Sequence, residues 1–224
     1  MLREVSMEEI SDGKLYSAND MVKADCQDCR GCSDCCRGMG DSIILDPYDA
    51  WRLTTGLQKS FGELVGSHLD LHVVDGVILP NLKMGEATGG CTFLNEAGRC
   101  SIHAHRPGIC RLFPLGRYYD EERKLWYFLQ TGECSKTNRS KIKVKKWIDT
   151  PDFSRNEKFV LRWHYFVMDL QKILMQQPDM EKARKINLYV LQMFFFQGWD
   201  AEADFYEQFE ARLVQALAVL KQLA

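Results

Sequence analysis

The stretch 26-CQDCRGCSDCC-36 places five cysteines within eleven residues, and the interpretation of the whole chain starts from it. Cysteines three positions apart in a tight loop bring their sulfur atoms towards one point, which suits a bound metal better than disulfides to distant partners. The other residues of the stretch are polar or glycine, so packing alone cannot order the loop. The sequence therefore predicts that ligation of a metal fixes the local fold here.

Four more cysteines follow, and together with the N-terminus they bear on the compartment. They are Cys91, Cys100, Cys110 and Cys134, which makes nine in total. The N-terminus is charged and lacks the apolar segment of a secretory signal, so we expect a cytoplasmic protein, in which structural disulfides are rare. No apolar run approaches the roughly 18 residues of a membrane span, so we expect no membrane partner.

The composition is that of an ordinary globular protein. The 224 residues are 46% hydrophobic and 27% charged, with a formal net charge of −2. This balance argues against a nucleic-acid partner, because nucleic-acid-binding domains tend to be basic. Between Lys136 and Lys146, six of eleven residues are Lys or Arg. We expect a solvated edge strand or linker there, with a phosphate- or nucleic-acid-binding patch as the alternative.

Local signals predict several short elements around the cysteines. Asp46 as N-cap, with a proline directly after it, predicts a helix that stops at Gly56. An apolar run broken by Asp-Gly at 75–76 predicts a hairpin, and residues 125–129 are a strand candidate. Residues 92–103 predict a second hairpin, which would bring the cysteines that flank its turn close together.

These patterns predict an α+β fold, in which a small, loop-rich cysteine-cluster domain with short hairpins and a helix precedes a C-terminal region of three helices. The boundaries that we expect are an N-terminal arm (1–25), the cysteine-cluster metal-binding domain (26–135), a basic linker (136–151) and the helical region (152–224). The middle helix of the last region is apolar on several sides, so we expect it to pack against the cysteine domain.

The spacing of the first five cysteines fits two kinds of metal centre. Zn²⁺ takes four ligands in a tetrahedron and a cubane iron–sulfur cluster takes four cysteines, and both accept CxxC steps. One register, Cys26-x₂-Cys29-x₂-Cys32-x₃-Cys36, has the spacing of bacterial ferredoxins, and the other register uses Cys29, Cys32, Cys35 and Cys36. Adjacent cysteines point in different directions, so Cys35 and Cys36 can serve different sites. The serial steps favour an iron–sulfur cluster over zinc, and both metals stay open.

The first stretch and a second segment, 91-CTFLNEAGRCSIHAHRPGICRLFP-114, together resemble the CxxCxxCC cysteine-cluster family, whose members are described as zinc- or iron-chelating. The resemblance covers residues 29–114 and extends towards Cys134. The positions that carry it are Cys29, Cys32, Cys35, Cys36, Cys91, Phe93, Leu94, Cys100, Ile102, His103, Arg106, Pro107, Cys110, Arg111, Phe113 and Pro114.

The resemblance implies a bound zinc or iron centre and a set of ligands for it. Eight thiols match the family, and they would fill either two four-cysteine sites or one site accompanied by structural or redox thiols. Cys26 lies outside the pattern and is an additional candidate, essential only in the ferredoxin register. We expect Arg106 and Arg111 to donate to the thiolates, and the second segment to meet the first in one centre. The eight candidate ligands are Cys29, Cys32, Cys35, Cys36, Cys91, Cys100, Cys110 and Cys134.

Three functions stay open on this basis. The first is a metal-binding protein whose centre has a structural, sensing or redox role. The second is an iron–sulfur redox enzyme. Some members of the wider family are flagellin lysine methylases, but no glycine-rich nucleotide fingerprint follows a strand here, so that activity is not carried over. The third is an interaction protein whose helical region docks a protein partner while the metal only holds the fold together.

Overall fold

The computed structural model describes residues 6–26, 32–136 and 138–223. Within these ranges, none of the helices is both long and apolar enough to cross a membrane. The α-helices found there are α1 (Met7–Ile10), α2 (Pro47–Leu57), α3 (Phe61–Leu64), α4 (Gly108–Leu112), α5 (Val144–Ile148), α6 (Phe153–Gln176), α7 (Met180–Leu191) and α8 (Phe205–Leu223). The strands are β1 (Met21–Asp25), β2 (Leu69–Val74), β3 (Val77–Leu82), β4 (Leu115–Tyr119), β5 (Leu125–Leu129) and β6 (Ser140–Lys143).

The strands form three separate antiparallel pairs instead of one larger sheet. β2 pairs with β3 and β4 pairs with β5, in each case with the next strand along the chain, whereas β1 pairs with β6 across most of the cysteine-bearing segment. Two short 3₁₀ helices, at 34–36 and 103–105, carry residues of the cysteine motifs. Helices mixed with short antiparallel strand pairs confirm the predicted α+β class.

Helix α2 begins where the sequence predicts, but it does not stop at Gly56. Asp46 is the N-cap, and its side chain accepts from the backbone N–H of Asp49 while the Asp49 side chain accepts from the N–H of Asp46. The helix runs past Gly56, and Gln58 caps it in the left-handed region. A Cβ atom at position 56 would clash with the imidazole ring of His105. Glycine is therefore present because the 103–105 turn packs on it, and the prediction that it stops the helix is wrong.

Two of the other predicted elements are confirmed and one is corrected. The Asp-Gly turn at 75–76 joins β2 to β3, and residues 125–129 form β5. Residues 92–103 reverse direction at the predicted turn, with one isolated antiparallel bridge between Leu94 and Cys100, so the second predicted hairpin forms as a turn with a single bridge and not as a pair of strands. The Asn95 side chain accepts from the backbone N–H of Arg99, which closes a tight turn before a strand ladder can extend.

A main core joins the first part of the chain to the C-terminal helices. The ring centroids of Phe61 in α3 and Phe195, just after α7, are 5.5 Å apart. The buried Asn187 side chain of α7 accepts from the N–H of Ile78 at 2.8 Å and donates to the carbonyl of Gly76 at 3.0 Å. Both contacts tie a C-terminal helix to the segment that precedes the cysteines at 91 and 100. The predicted packing of the helical region against the earlier part of the chain is confirmed.

A second, smaller core forms between β1, the β4–β5 pair, α4 and α5. The basic stretch contributes to it, because Trp147 of α5 is buried and its indole N–H donates to the carbonyl of Leu112 at 3.2 Å. Residues 140–143 form an edge strand, as one of the two predicted alternatives states. The members of this second core are Val22, Ala24, Cys26, Leu112, Leu115, Tyr127, Leu129, Val144, Trp147 and Ile148.

Asp49 links α2 to the segment that leads into α4. Its carboxylate is 2% exposed, and Oδ1 accepts from the backbone N–H of Gly108 at 2.7 Å. Burial raises the pKa of Asp49, and the Gly108 N–H and the positive charges of Arg111 and Arg117 oppose that shift. Because Gly108 lies two residues before Cys110, this contact fixes where the Cys110 thiol stands relative to the main core.

We expect Asp49→Ala to lower the free energy of unfolding by about 2–3 kcal/mol, because it leaves the buried Gly108 N–H without an acceptor and removes half of the capping box of α2. Urea denaturation of the full chain measures the change. Asp49→Asn keeps an acceptor in place and should lose less. Asp169→Ala, an exposed carboxylate on α6, should stay within about 0.5 kcal/mol of the parent and serves as the control. Equal stability of Asp49→Ala and the parent would contradict the assignment.

Candidate metal centre

Six cysteines line one cavity, called here the larger cavity because a smaller one lies beside it. This cavity has a volume of about 810 Å³, counting the portion open to solvent. Apolar side chains, among them Ile43 and Leu82, form part of its wall, and the side chains of Arg99 and Arg106 add positive charge. Its cysteines come from two segments, 32–36 and 91–110, which are far apart in sequence. They are Cys32, Cys35, Cys36, Cys91, Cys100 and Cys110.

The two segments meet through backbone hydrogen bonds. The N–H of Cys91 donates to the carbonyl of Cys36 at 2.7 Å, and the N–H of Gly38 donates to the carbonyl of Gly89 at 2.8 Å. An isolated antiparallel bridge between Met84 and Cys91 then connects this junction to the chain just beyond β3. The short stretch around Cys36 is therefore held against a rigid hairpin, although it has few apolar side chains of its own.

Turns and helix α4 fix the later part of the second segment, around Cys100 and Cys110. Cys100 pairs with Leu94 in the isolated bridge, and the next residue, Ser101, donates its N–H to the carbonyl of Phe93 at 2.9 Å. Cys110 lies in α4, which Asp49 holds through Gly108. The sequence signal for this last contact is the Asp-Pro-Tyr-Asp capping box of α2, which indicates a helix start but gives no information about its distant partner.

The four thiols at 36, 91, 100 and 110 affect one another electrostatically. A hydrogen bond from Cys35 and the positive charges of Arg106 and Arg37 lower the pKa of the Cys36 thiol to about 7, against the opposing effect of burial. Burial raises the pKa of Cys91 to about 11, with the backbone N–H of Phe93 opposing it. Burial also raises the pKa of Cys100 and of Cys110, and the charge of Cys36 adds to both shifts. A cation at this place would favour the thiolate form of all four.

The two arginines of the sequence motif lie in different surroundings. Arg106 lines the larger cavity, and its charge acts on Cys36 and on Cys100. Arg111 is 5% exposed; its Nη1 donates to the carbonyl of Asp149 at 3.4 Å, and its guanidinium carbon lies 5.9 Å from the ring centroid of Tyr48. Arg106 is thus placed to balance negative charge on sulfur, and Arg111 connects α4 to α2 and α5.

The remaining candidates lie around a smaller cavity of about 290 Å³. Its cysteines are Cys26, Cys32, Cys35 and Cys134, so Cys32 and Cys35 line both cavities. Phe113 and Pro114 form an apolar wall, and Asp34 and Lys136 supply opposite charges.

Cys29 lies outside the described residues, so its predicted role as a ligand is not addressed by the structure. The eight described cysteines form no disulfide with one another. Among the same described residues, no group of three or more His, Cys, Asp or Glu side chains is drawn together closely enough to hold a metal ion. The donor set nevertheless has the right chemistry for zinc or iron, because thiolates are the ligands that Zn²⁺ and iron–sulfur clusters share.

Comparison with known proteins also connects these cysteines with zinc or iron. Residues 28–134, just under half of the chain, match the model of a family named CxxCxxCC, whose description is "Putative zinc- or iron-chelating domain". Neither the curated proteins nor the solved structures gave a match. The matched range includes every cysteine of the chain except Cys26. Residues 28–134 are therefore similar to the CxxCxxCC family, and this similarity covers the cysteine-bearing part of the chain.

Proposed function

We propose that this protein binds a zinc or iron centre in the larger cavity, through the thiolates of Cys36, Cys91, Cys100 and Cys110. The observation that carries the proposal is the convergence of two distant segments, 32–36 and 91–110, on one cavity lined with thiols. Within the group, the charge of Cys36 raises the pKa of the Cys91, Cys100 and Cys110 thiols, in addition to the larger effect of burial.

The charge balance of the cavity supports a cationic centre held by thiolates. Four thiolates around Zn²⁺, or around an oxidised cubane cluster, give a formal charge of about −2, and a partly buried site has to compensate it. Arg106 and Arg37 supply positive charge close to Cys36, and Arg106 also acts on Cys100. Guanidinium groups beside metal-bound thiolates have the role of the outer partners that hold a metal's ligands in place.

We favour an iron–sulfur cluster as the form of the centre. Six thiols line the larger cavity, two more than one tetrahedral ion takes as ligands. The serial CxxC steps also occur in ferredoxins. The role that the fold supports best is structural, because the centre would connect the polar first stretch to the main core. A redox role is the second candidate, and the open mouth of the cavity favours it, since solvent exposure tunes the potential of a cluster.

The direct test is elemental analysis of iron, zinc and acid-labile sulfide in one anaerobically purified sample of the full chain. We expect iron together with sulfide. Cys91→Ser and Cys110→Ser should each remove the metal of this cavity, because a thiolate quartet that loses one member binds far more weakly. Ser33→Ala is the matched control in the same loop, since its side chain makes no capping hydrogen bond, and it should keep full metal content.

The results distinguish a zinc ion from an iron–sulfur cluster, and they test whether these four cysteines are the ligands. Zinc without sulfide would leave the metal centre standing and exclude the cluster. Metal content that neither cysteine substitution changes would overturn the assignment of the quartet, provided that circular dichroism shows both variants to be folded.

Arg106 offers a second test, of charge compensation. Arg106→Gln should weaken metal binding by about 10–100-fold, the range typical of outer partners of a metal site. The measurement is competition with a chelator of known affinity. Arg99→Gln changes the same kind of side chain on the wall of the same cavity, but no effect of Arg99 on the thiols is resolved, so it should have a smaller effect. Arg106→Lys restores the charge and should recover part of the affinity. Identical losses for the two glutamine variants would contradict a specific role for Arg106.

Metal removal should loosen the site and spare the helices. Binding free energy at such sites contributes to folding, and residues 32–36 have little apolar surface to hold them otherwise. After chelation, the amide of Cys91, which donates to Cys36, should exchange with deuterium much faster. The amide of Leu82, which donates to Ile43 within the main core, should keep its protection and serves as the internal reference. Equal protection of the Cys91 amide with and without metal would refute the structural role.

A further inference from the structure

We propose that the outward face of helix α8 pairs with the same face of a second copy of this chain, in an antiparallel arrangement. Helix α8 spans Phe205–Leu223, and its inner side belongs to the main core. The outward face carries Val214 and Leu217, which are 62% and 41% exposed. No cysteine follows residue 134, so this interface does not depend on a metal centre.

The middle of this face lacks the charged side chains that usually cover the solvent side of a helix. From residue 211 to residue 220, the only ionisable side chain is that of Arg212. Its guanidinium group donates to the backbone carbonyls of Met193, Gln197 and Gly198, so its charge is committed to the chain before α8. The exposed residues of this stretch are 211, 214, 215, 217 and 218, and only Gln215 among them is polar. A helix that is apolar on its outer side as well as its inner side indicates a second surface to be covered.

Opposite charges stand at the two ends of the face, at equal distances from Val214. Glu207 lies seven residues before Val214, and Lys221 lies seven residues after it. Seven residues are close to two helical turns, so all three side chains lie along one side of the helix. The salt bridges in this region are made by Asp204 and Glu210 with arginines of α6. Within the described residues neither Glu207 nor Lys221 has a salt-bridge partner, so both charges are available to another chain.

These charges favour a second copy as the partner, and they fix its direction. In an antiparallel copy related by a two-fold axis beside Val214, Glu207 of each chain stands opposite Lys221 of the other. The same register places Val214 against its own counterpart and Leu217 beside the small side chain of Ala211. Parallel pairing would instead bring like charges together at both ends of the face, which is destabilising. The face therefore complements itself only when one copy is reversed.

The size of the face predicts how strong the association is. One pair of helices buries less than the roughly 1,200 Å² at the lower end of stable interfaces. We therefore expect a reversible dimer, whose population rises with protein concentration.

The experiment is sedimentation equilibrium of the full chain at several concentrations, under reducing conditions that prevent disulfides between copies. We expect a monomer–dimer equilibrium in the parent protein. Val214→Asp places two carboxylates beside the axis and should abolish the dimer. Val73→Asp makes the same change at a valine of β2 that is 70% exposed, so it should leave the equilibrium unchanged and is the matched control. Circular dichroism checks that both variants are folded.

Charge reversal tests the antiparallel register. Glu207→Lys and Lys221→Glu should each raise the dissociation constant about tenfold, because each turns two attractive pairs of the dimer into repulsive pairs. The double variant restores both attractions with the signs exchanged, so its dissociation constant should return to that of the parent. A helix that was merely destabilised by the two changes would show no such rescue.

Three results would overturn the proposal. The first is a parent protein that stays monomeric up to about 1 mM, the weak end of specific association. The second is a dimer that Val214→Asp leaves intact, and the third is a double charge variant that associates no better than the single ones. If Val214→Asp fails to fold, the charge-reversal variants decide the matter.

Discussion

Backbone hydrogen bonds at the junction of Cys36 with Cys91, and of Gly38 with Gly89, hold the described end of the polar cysteine stretch, residues 32–36, against the second segment. The stretch cannot bury itself, because its side chains are thiols, carboxylates, amides and guanidinium groups with almost no apolar surface. It has to take its position from a neighbour that is already rigid. That neighbour is the end of β3, whose apolar side chains belong to the main core. The Met84–Cys91 bridge extends the pairing beyond the end of β3. The larger cavity exists because this junction brings the first stretch over the second.

The thiols lie at the boundary between the two hydrophobic cores. The cysteines of the second segment pack against the main core, and Cys26 belongs to the second core. Asp49 connects the two, because it caps α2 in the main core and binds Gly108 at the start of α4, whose Leu112 enters the second core. Packed elements therefore position Cys26 and the cysteines of the second segment, whereas Cys32, Cys35 and Cys36 lie on the polar stretch.

The sequence predicts the elements whose causes are local. Asp46 with the proline after it starts α2, Asp-Gly turns β2 into β3, and the helical period appears in α6 to α8. The errors come from contacts between distant residues. Gly56 predicts a helix stop, but His105 packs on it and the helix continues. Residues 92–103 predict a two-stranded hairpin, but the Asn95 side chain closes a tight turn that leaves a single bridge. No local pattern indicates that Cys26 and Cys134, more than a hundred positions apart, share a cavity.

The adjacent pair Cys35–Cys36 lies where the two cavities meet. Both residues belong to the 3₁₀ helix at 34–36, and Cys35 lines both cavities whereas Cys36 lines only the larger one. Contacts to distant parts of the chain hold this short helix on both sides. The hydroxyl of Ser135 donates to the carboxylate of Asp34 beside the smaller cavity, and the N–H of Cys91 donates to the carbonyl of Cys36 beside the larger one. A helix too short to be stable by itself is therefore positioned by tertiary contacts, and the sequence of the stretch alone could not predict where its two thiols lie.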